Sequence, residues 1–457
     1  MAPADERRTR TPQVLKGMRD LLPQQMLLRQ HVIGAFRRVF ERYGFEPIET
    51  PVLEYLDVLT GKYGEDERLI YHFADRGGRE VGLRYDLTVP LARFVASHRG
   101  ELTLPFKRYH IEPVFRADRP QRGRYRQFWQ CDADVVGTAS MLADAEVVMC
   151  WVDCLSAVNM PNFVVHINHR MLLQSLAQVA GVPESQASTI HRAIDKLGKI
   201  GRAGVREEME SRGIAREAAE RVLDLVELRD TPERMLAELR RRLAGNALAE
   251  QGITELESLF RYLGELSAPL QHVELDLALA RGLDYYTGPV FEAMVSEPAI
   301  GSLGGAGRYD HLIGMFLGED IPATGASLGL ERIIDVIEEL HLLPMPRSVA
   351  DVLVTVFDDR EESLAASLRL VSRLRGSGVH AEVYLGERRD LRRQLQYADR
   401  RGIPLAAVVG PDEIARGDVN LRVMASGEQQ TVPVGDAADA VDRLRVRGQF
   451  GDGPAGQ

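Results

Sequence analysis

Apolar residues at Val32, Ile33, Phe36, Val39, Phe40 and Tyr43 recur three and four apart, the spacing that places side chains on one face of a helix, so a helix is expected after Pro23. The next segment, GFEPIETPVLE, contains Pro47 and Pro51. Each proline removes a backbone donor and disfavours helix at the residue before it, so an extended segment is expected at a sheet edge or an interface. From Arg108 to Val135 the pattern predicts a hairpin: RYHIEPVFR, the polar turn ADRPQRG, then RYRQFWQCDADVV. Alternate residues share one face of a strand. Phe128, Gln130, Asp132 and Asp134 therefore fall on one side, and Trp129, Cys131, Ala133 and Val135 on the other. The second set suits a core. The first, after a strand that ends in Arg116, suits a polar ligand.

Between about residues 170 and 270 the chain turns to long charged, Ala/Leu-rich stretches such as IAREAAERVLDLVEL and TPERMLAELRRRLAG, which predict an inserted helical module. Extended sequence returns in HVELDLALARGLDYYTGPVFEAMV, followed by the glycine-rich GSLGGAGRYD and by ATGASLGLERIIDVIEEL, read as a strand leading into a helix. After LLPMPRS, short strands alternate with helices: ADVLVTVF, a helix to about Leu374, VHAEVYL, a helix through Tyr397, and IPLAAVVG. The expected organisation is a core over 1–170 and 271–345, a helical insertion over 171–270, a small α/β domain over 349–446 and a disordered tail over 447–457.

Composition narrows the class. With 457 residues the chain exceeds one ordinary core, and two or three domains are expected. No apolar run approaches the roughly eighteen residues of a spanning helix, and MAPADERRTRTPQVLKG lacks the apolar stretch of a secretory signal. A cytoplasmic protein without a membrane partner is expected. Cys131, Cys150 and Cys154 are odd in number and lack CxxC spacing, which argues for reduced structural thiols over a disulfide framework or a zinc site. A formal charge of −10 argues against a protein that coats nucleic acid non-specifically. Two basic clusters remain as local RNA candidates, Arg240 to Arg242 and the run from Arg388 to Arg401, although the commoner reading of each is a solvated helix face.

Together these segments resemble the histidyl-tRNA synthetase family, from KGMRDLLP at Lys16 through the small C-terminal domain. GFEPIETPVLE is similar to the first motif of class II synthetases, FRADRPQRGRYRQFWQ to the second and GLERI to the third. RGLDYYTG, from Arg281 to Gly288, and the segment ending in GRYD are similar to signatures of the histidine-specific family. The resemblance implies an α+β fold: an antiparallel sheet flanked by helices, a helical insertion and a C-terminal α/β anticodon-binding domain. It also implies a homodimer with Pro51 at the interface, L-histidine and tRNA as partners, ATP as substrate, and Mg2+ accompanying the nucleotide.

The implied chemistry joins a carboxylate to the α-phosphate of ATP, so two anions must approach and the charge developing on phosphorus must be neutralised. Arginine's planar, permanently charged fork suits this task. By resemblance, Arg116 would bridge the histidine carboxylate and the α-phosphate, and Arg281 would be the family's own catalytic arginine. Arg332 would bind the distal phosphates, Phe128 would stack on adenine, and Asp118 would assist near ATP. Asp86, Leu87 and Thr88 of RYDLTVP, with Gln130, resemble the set that faces the α-ammonium, while Asp134, Tyr285 and Tyr286 would surround the imidazole. Taken alone, Asp86 is more simply a helix cap and the tyrosines core packing.

The chain departs from the family's usual form at Ala306, where glycine is customary. RYDLTVP and QCDADVVG look more like the eukaryotic and archaeal branch, DRPQRGRYR more like the bacterial one. Two other readings compete. Some proteins resembling this catalytic core are regulatory subunits of the first enzyme of histidine biosynthesis, but they typically lose the RGLDYYTG-like segment and the anticodon domain. A paralogue that forms the adenylate but passes histidine to another acceptor is the second.

Overall fold

A computed structural model of the chain describes residues 12–179, 181–182, 187–280, 285–387 and 389–449. The chain divides into two compact units, one formed by the residues up to 20 with 29–343, the other by 21–28 with the residues from 344 onward.

The first unit is organised on an eight-stranded sheet in the order Glu46–Pro47, Phe106–Phe115, Gln127–Val136, Ala323–Gly329, Ser302–Arg308, Pro289–Val295, Phe163–His169, Val273–Leu275. The inner pairings are antiparallel. Only the two outermost pairings run parallel, which confines Pro47 to an edge where its missing donor costs nothing in the ladder. The expected hairpin forms in unbroken register from Phe106 opposite Val136 to Phe115 opposite Gln127. A smaller three-stranded sheet joins Leu53–Tyr55, Glu80–Leu83 and His72–Ala74.

Helices cover the sheet as their periodicity requires. Pro23–Arg42 buries Val32, Phe36, Val39 and Phe40, and the Phe40 ring centroid lies 5.6 Å from that of Tyr109 on the sheet. Met141–Ala157 is apolar on most sides, with Cys150, Trp151 and Cys154 fully buried, as expected of a helix enclosed between layers. The described residues between Arg170 and Glu265 form only helices and their connections, ending in Ala247–Glu265, which Asn246 caps by accepting from the Ala249 N–H at 3.0 Å. No helix among the described residues is long and apolar enough to cross a membrane.

The second unit carries a five-stranded sheet ordered Ala381–Val383, Val352–Val354, Leu405–Val408, Asp418–Val423, Gln429–Pro433. Its first three strands are parallel, joined through the helices Glu361–Gly376 and Leu391–Arg401. The last two form an antiparallel ribbon that the sequence reading did not include. Its alternation is nonetheless visible in DVNLRV, where Val419 and Leu421 are buried and their neighbours are not.

Candidate active site

A cavity of about 450 Å3 opens on one face of the large sheet, bounded by residues of Gln127–Val136, Ala323–Gly329, Ser302–Arg308 and Pro289–Val295. Strand alternation decides what faces it. Phe128 and Gln130 line the cavity, while Cys131 between the strands and the helical layer is fully buried. Gly305 leaves room on the cavity side: a Cβ there would meet nothing within 4 Å. At Gly304, one residue earlier and on the opposite face, a Cβ would sit 2.3 Å from the Ser327 carbonyl oxygen and 3.0 Å from Trp151. Ala306 shares the face of Gly304, so its methyl, 2 % exposed, points away from the open space. The departure from glycine at this position is thereby accommodated.

The residues expected to act together largely converge. Asp86, Thr88, Arg116, Asp118, Phe128, Gln130, Tyr285, Tyr286 and Arg332 all line the one cavity. Arg116 is held by a bond from its Nε to the Tyr85 carbonyl (3.0 Å), with its guanidinium 4.2 Å from the Tyr85 ring centroid and 5.0 Å from that of Phe128. Fixing Nε in this way leaves the two terminal nitrogens to serve a ligand. Arg332 donates to the carbonyls of Gly123 (2.8 Å) and Ser302, tying the hairpin turn and the glycine-rich segment to the first turn of Leu330–Leu340. Asp118 pairs with Arg124 at 3.1 Å.

Asp86 takes the helix-cap role, and its other bonds come from two tyrosines. Its Oδ1 accepts from the Val89 N–H (3.0 Å), as a helix cap does, and from Tyr63 Oη (3.0 Å); its Oδ2 accepts from Tyr285 Oη at 3.2 Å. Burial holds this carboxyl above the usual carboxylate range, against the pull of the Val89 N–H and Arg116. A cation brought by a ligand would favour its ionised form. Burial likewise pushes the Tyr285 and Tyr286 phenols up, so both rings are neutral donors.

Two expected residues do not line the cavity. Leu87 is wholly buried, and its carbonyl accepts from Arg108 Nη2 at 3.3 Å. Asp134 is buried outside the cavity lining: its Oδ1 accepts from Tyr309 Oη, and its Oδ2 is 2.8 Å from Arg108. Arg108 is also 4.0 Å from Asp132. One buried guanidinium thus serves two buried carboxylates, and burial raises both of them, Asp132 to about 8. Arg281, with Gly282 to Asp284, lies outside the described residues, as do Arg388 and the tail from 450.

Comparison with known proteins gives this geometry a family. The Histidyl-tRNA synthetase profile matches residues 17–333, well over half of the chain. The chain belongs to the histidyl-tRNA synthetase family. A second profile, the Anticodon binding domain, matches residues 351–444. The histidine–tRNA ligase of Aeropyrum pernix is 45 % identical over 442 residues, covering 95 % of this chain and 98 % of the relative. That of Rhodopirellula baltica is 44 % identical over 426 residues, covering 92 % and 95 %. The crystal structure of histidyl-tRNA synthetase from Nostoc sp. PCC 7120 superposes with a TM-score of 0.85 at 34 % identity, covering 94 % of this chain and 99 % of that one.

Within this synthetase, several site residues had been given no role from the sequence. Tyr63, which supports Asp86, is a lone tyrosine in an irregular segment. Glu331 lines the cavity and accepts from the Trp129 N–H (2.8 Å) and from Arg29 (2.7 Å), fixing hairpin and helix together. Arg108 and His110 could have been found: they stand directly opposite Asp134 and Asp132 in the hairpin register, so the alternation in RYH and DAD places four ionisable groups on one face.

Proposed function

We propose that the cavity activates L-histidine with ATP and that the chain then transfers the histidyl group to the 3′ end of tRNA(His). The observation that carries this reading is the convergence, in one cavity, of an arginine clamped between two rings with buried acceptors for a cation. Arg116 suits the carboxylate and the α-phosphate, while Asp86 and Gln130 suit the ammonium. In the first step a carboxylate oxygen bonds to the α-phosphorus, the bond to the β-phosphate bridging oxygen breaks, and pyrophosphate leaves. In the second, a terminal ribose hydroxyl attacks the carbonyl and AMP leaves. Arg332 turns from its two carbonyl partners to the distal phosphates, and Arg281 acts beside the α-phosphate.

Magnesium enters as part of the nucleotide substrate. No group of three His, Cys, Asp or Glu side chains suited to hold a metal occurs among the described residues. Phosphate oxygens with one carboxylate, for which Glu292 is placed on the cavity wall, fit the preference of Mg2+ for few protein ligands. Residues 349–446 take the role of the anticodon-binding unit. A cytoplasmic setting fits three buried, unpaired thiols. Homodimer formation through the segment around Pro51 is supported by Leu53, Tyr55 and Phe73, which are exposed on the two outer strands of the three-stranded sheet, flanking Glu80–Leu83.

The deciding experiment is amino-acid-dependent exchange of pyrophosphate into ATP, each amino acid offered separately with magnesium. Exchange with histidine alone supports the reading. No exchange from a folded chain would favour a regulatory, binding-only relative. Arg281→Ala is expected to abolish exchange with folding intact, and near-normal turnover would remove its assigned role.

A further inference from the structure

Gln130 presents an ambiguity that the surrounding strands resolve. A glutamine amide has a donor end and an acceptor end of nearly equal shape, and only one of them can meet an ammonium. Its Nε2 donates to Ser327 Oγ across the strand pair. Its Oε1 is buried without a protein partner, on a residue 7 % exposed that lines the cavity. Ser327 in turn stands directly opposite Asp132 in register, where cross-strand side chains are neighbours, and its hydroxyl favours the ionised Asp132 carboxyl. Asp132 Oδ1 has no hydrogen-bond partner, and Oδ2 faces Arg108 at 4.0 Å. The nearby cation makes Oδ2 the worse place for a proton, so it stays an acceptor even when the carboxyl is neutral.

We infer that Asp132 and Ser327 are positioning residues that set the polarity of Gln130, turning its carbonyl oxygen to the substrate's α-ammonium. The logic is one of donors and acceptors. Asp132 Oδ2 accepts, so the single Ser327 hydroxyl proton goes to it. Ser327 then has only lone pairs left for Gln130, which must offer its NH2. The oxygen is consequently fixed toward the ligand, with no rotamer search at binding. Without the relay either end of the amide can face the cavity, and the wrong end sets N–H against a cation. The inference rests on the histidine-activating reading of the cavity.

The test is pyrophosphate exchange with Ser327→Ala, Ser327→Thr, Gln130→Ala and the double variant Gln130→Ala/Ser327→Ala. Ser327→Ala is expected to raise the KM for histidine about tenfold, the effect of one hydrogen bond to a charged group, and to leave the KM for ATP in place. Ser327→Thr keeps the hydroxyl and restores the histidine KM. In the Gln130→Ala background Ser327→Ala adds nothing further, because the relay acts through that amide. A des-amino competitor, 3-(imidazol-4-yl)propionate, inhibits wild type and Ser327→Ala equally, having no ammonium to sense the change. An unchanged histidine KM, an equal loss of affinity for the des-amino competitor, or additive effects in the double variant would each overturn the inference. Absence of histidine-dependent exchange in the wild type would instead overturn the reading beneath it.

Discussion

The two larger sheets of this chain are filled in opposite ways. In the C-terminal unit the interior is Val352, Val354, Leu370, Leu374, Leu405, Leu421 and Val441, and its fully buried polar side chains are few. Gln394 accepts from the Val356 N–H (2.9 Å) and donates to the carbonyls of Val356 (2.7 Å) and Arg389 (2.8 Å); Ser367 donates to the Thr355 carbonyl at 2.8 Å. The hairpin of the large sheet instead buries Arg108, His110, Asp132 and Asp134, and leaves atoms of all four without hydrogen-bond partners. Unsatisfied buried groups lower stability, so their concentration beside a cavity marks where stability has been traded for an electrostatic site prepared for a ligand. The C-terminal sheet has no comparable cluster among the described residues, as expected of a unit whose ligand meets its surface.

That contrast fails most visibly if Arg108 is removed. Arg108→Met leaves Asp132 and Asp134 buried without a cation, and a loss of about 3–5 kcal/mol in denaturant unfolding is expected. Adding Asp134→Asn should recover part of it, since one of the two charges is then gone. A loss below about 1 kcal/mol would mean that the polar interior is not held by charge compensation. In the C-terminal unit the corresponding change is Gln394→Ala, which strands the Val356 N–H and C=O. About 2 kcal/mol is expected there, with histidine-dependent exchange measured alongside and retained by the remaining folded protein.

These two sites also show how much the sequence disclosed. The period of three and four in Val32, Phe36, Val39 and Phe40 became the buried face of Pro23–Arg42, and the hairpin formed where RYHIEPVFR and RYRQFWQCDADVV predicted it. Such features are legible because burial of one face imposes a period. Arg116, Phe128, Gln130, Tyr285 and Arg332 were reached through motif resemblance, and the fold brings them to one cavity. Period and motif do not reveal how a side chain is shared once it is inside. Asp134 turned to Arg108 and Tyr309, outside the cavity lining. Tyr63 and Ser327 belong to segments far from Asp86 and Gln130 along the chain, and a single hydroxyl leaves no periodic trace.

His110 sharpens the comparison through pH. Its ring is buried beside Arg108 and Arg84, and its Nε2 is 3.6 Å from Glu112, too far for a hydrogen bond. Burial first, then the two arginines, pull its pKa from the ordinary 6.5 to about 2. The folded chain therefore keeps the ring neutral while the unfolded chain protonates it. The stability contributed is present above pH 6.5 and is lost as pH falls below it toward the folded value. Between pH 7 and pH 5 this one group accounts for about 2 kcal/mol of acid destabilisation. His110→Gln should flatten that part of the unfolding profile, and an unchanged slope would show that the ring is not held neutral. No buried histidine plays this part in the C-terminal unit, where the described His380 is exposed.

The smallest effect belongs to the surface, where charge is abundant and little depends on it. Arg240, Arg241 and Arg242 stood out in the sequence as a basic cluster, but the fold supplies each with an acidic neighbour: Arg240 with Glu250 and Glu257, the other two with Glu238. Exposed pairs of this kind contribute less than about 1 kcal/mol, so Arg240→Gln should scarcely shift the unfolding midpoint. The same pairing cancels most of the local field that would attract phosphate. Replacing all three arginines with glutamine is expected to leave the salt dependence of tRNA binding unchanged, because each cation that truly meets a phosphate would take about 0.7–0.9 from the slope. A fall in slope worth two or more contacts would show that these carboxylates yield to RNA, making this helix face part of the binding surface and not a solvated exterior.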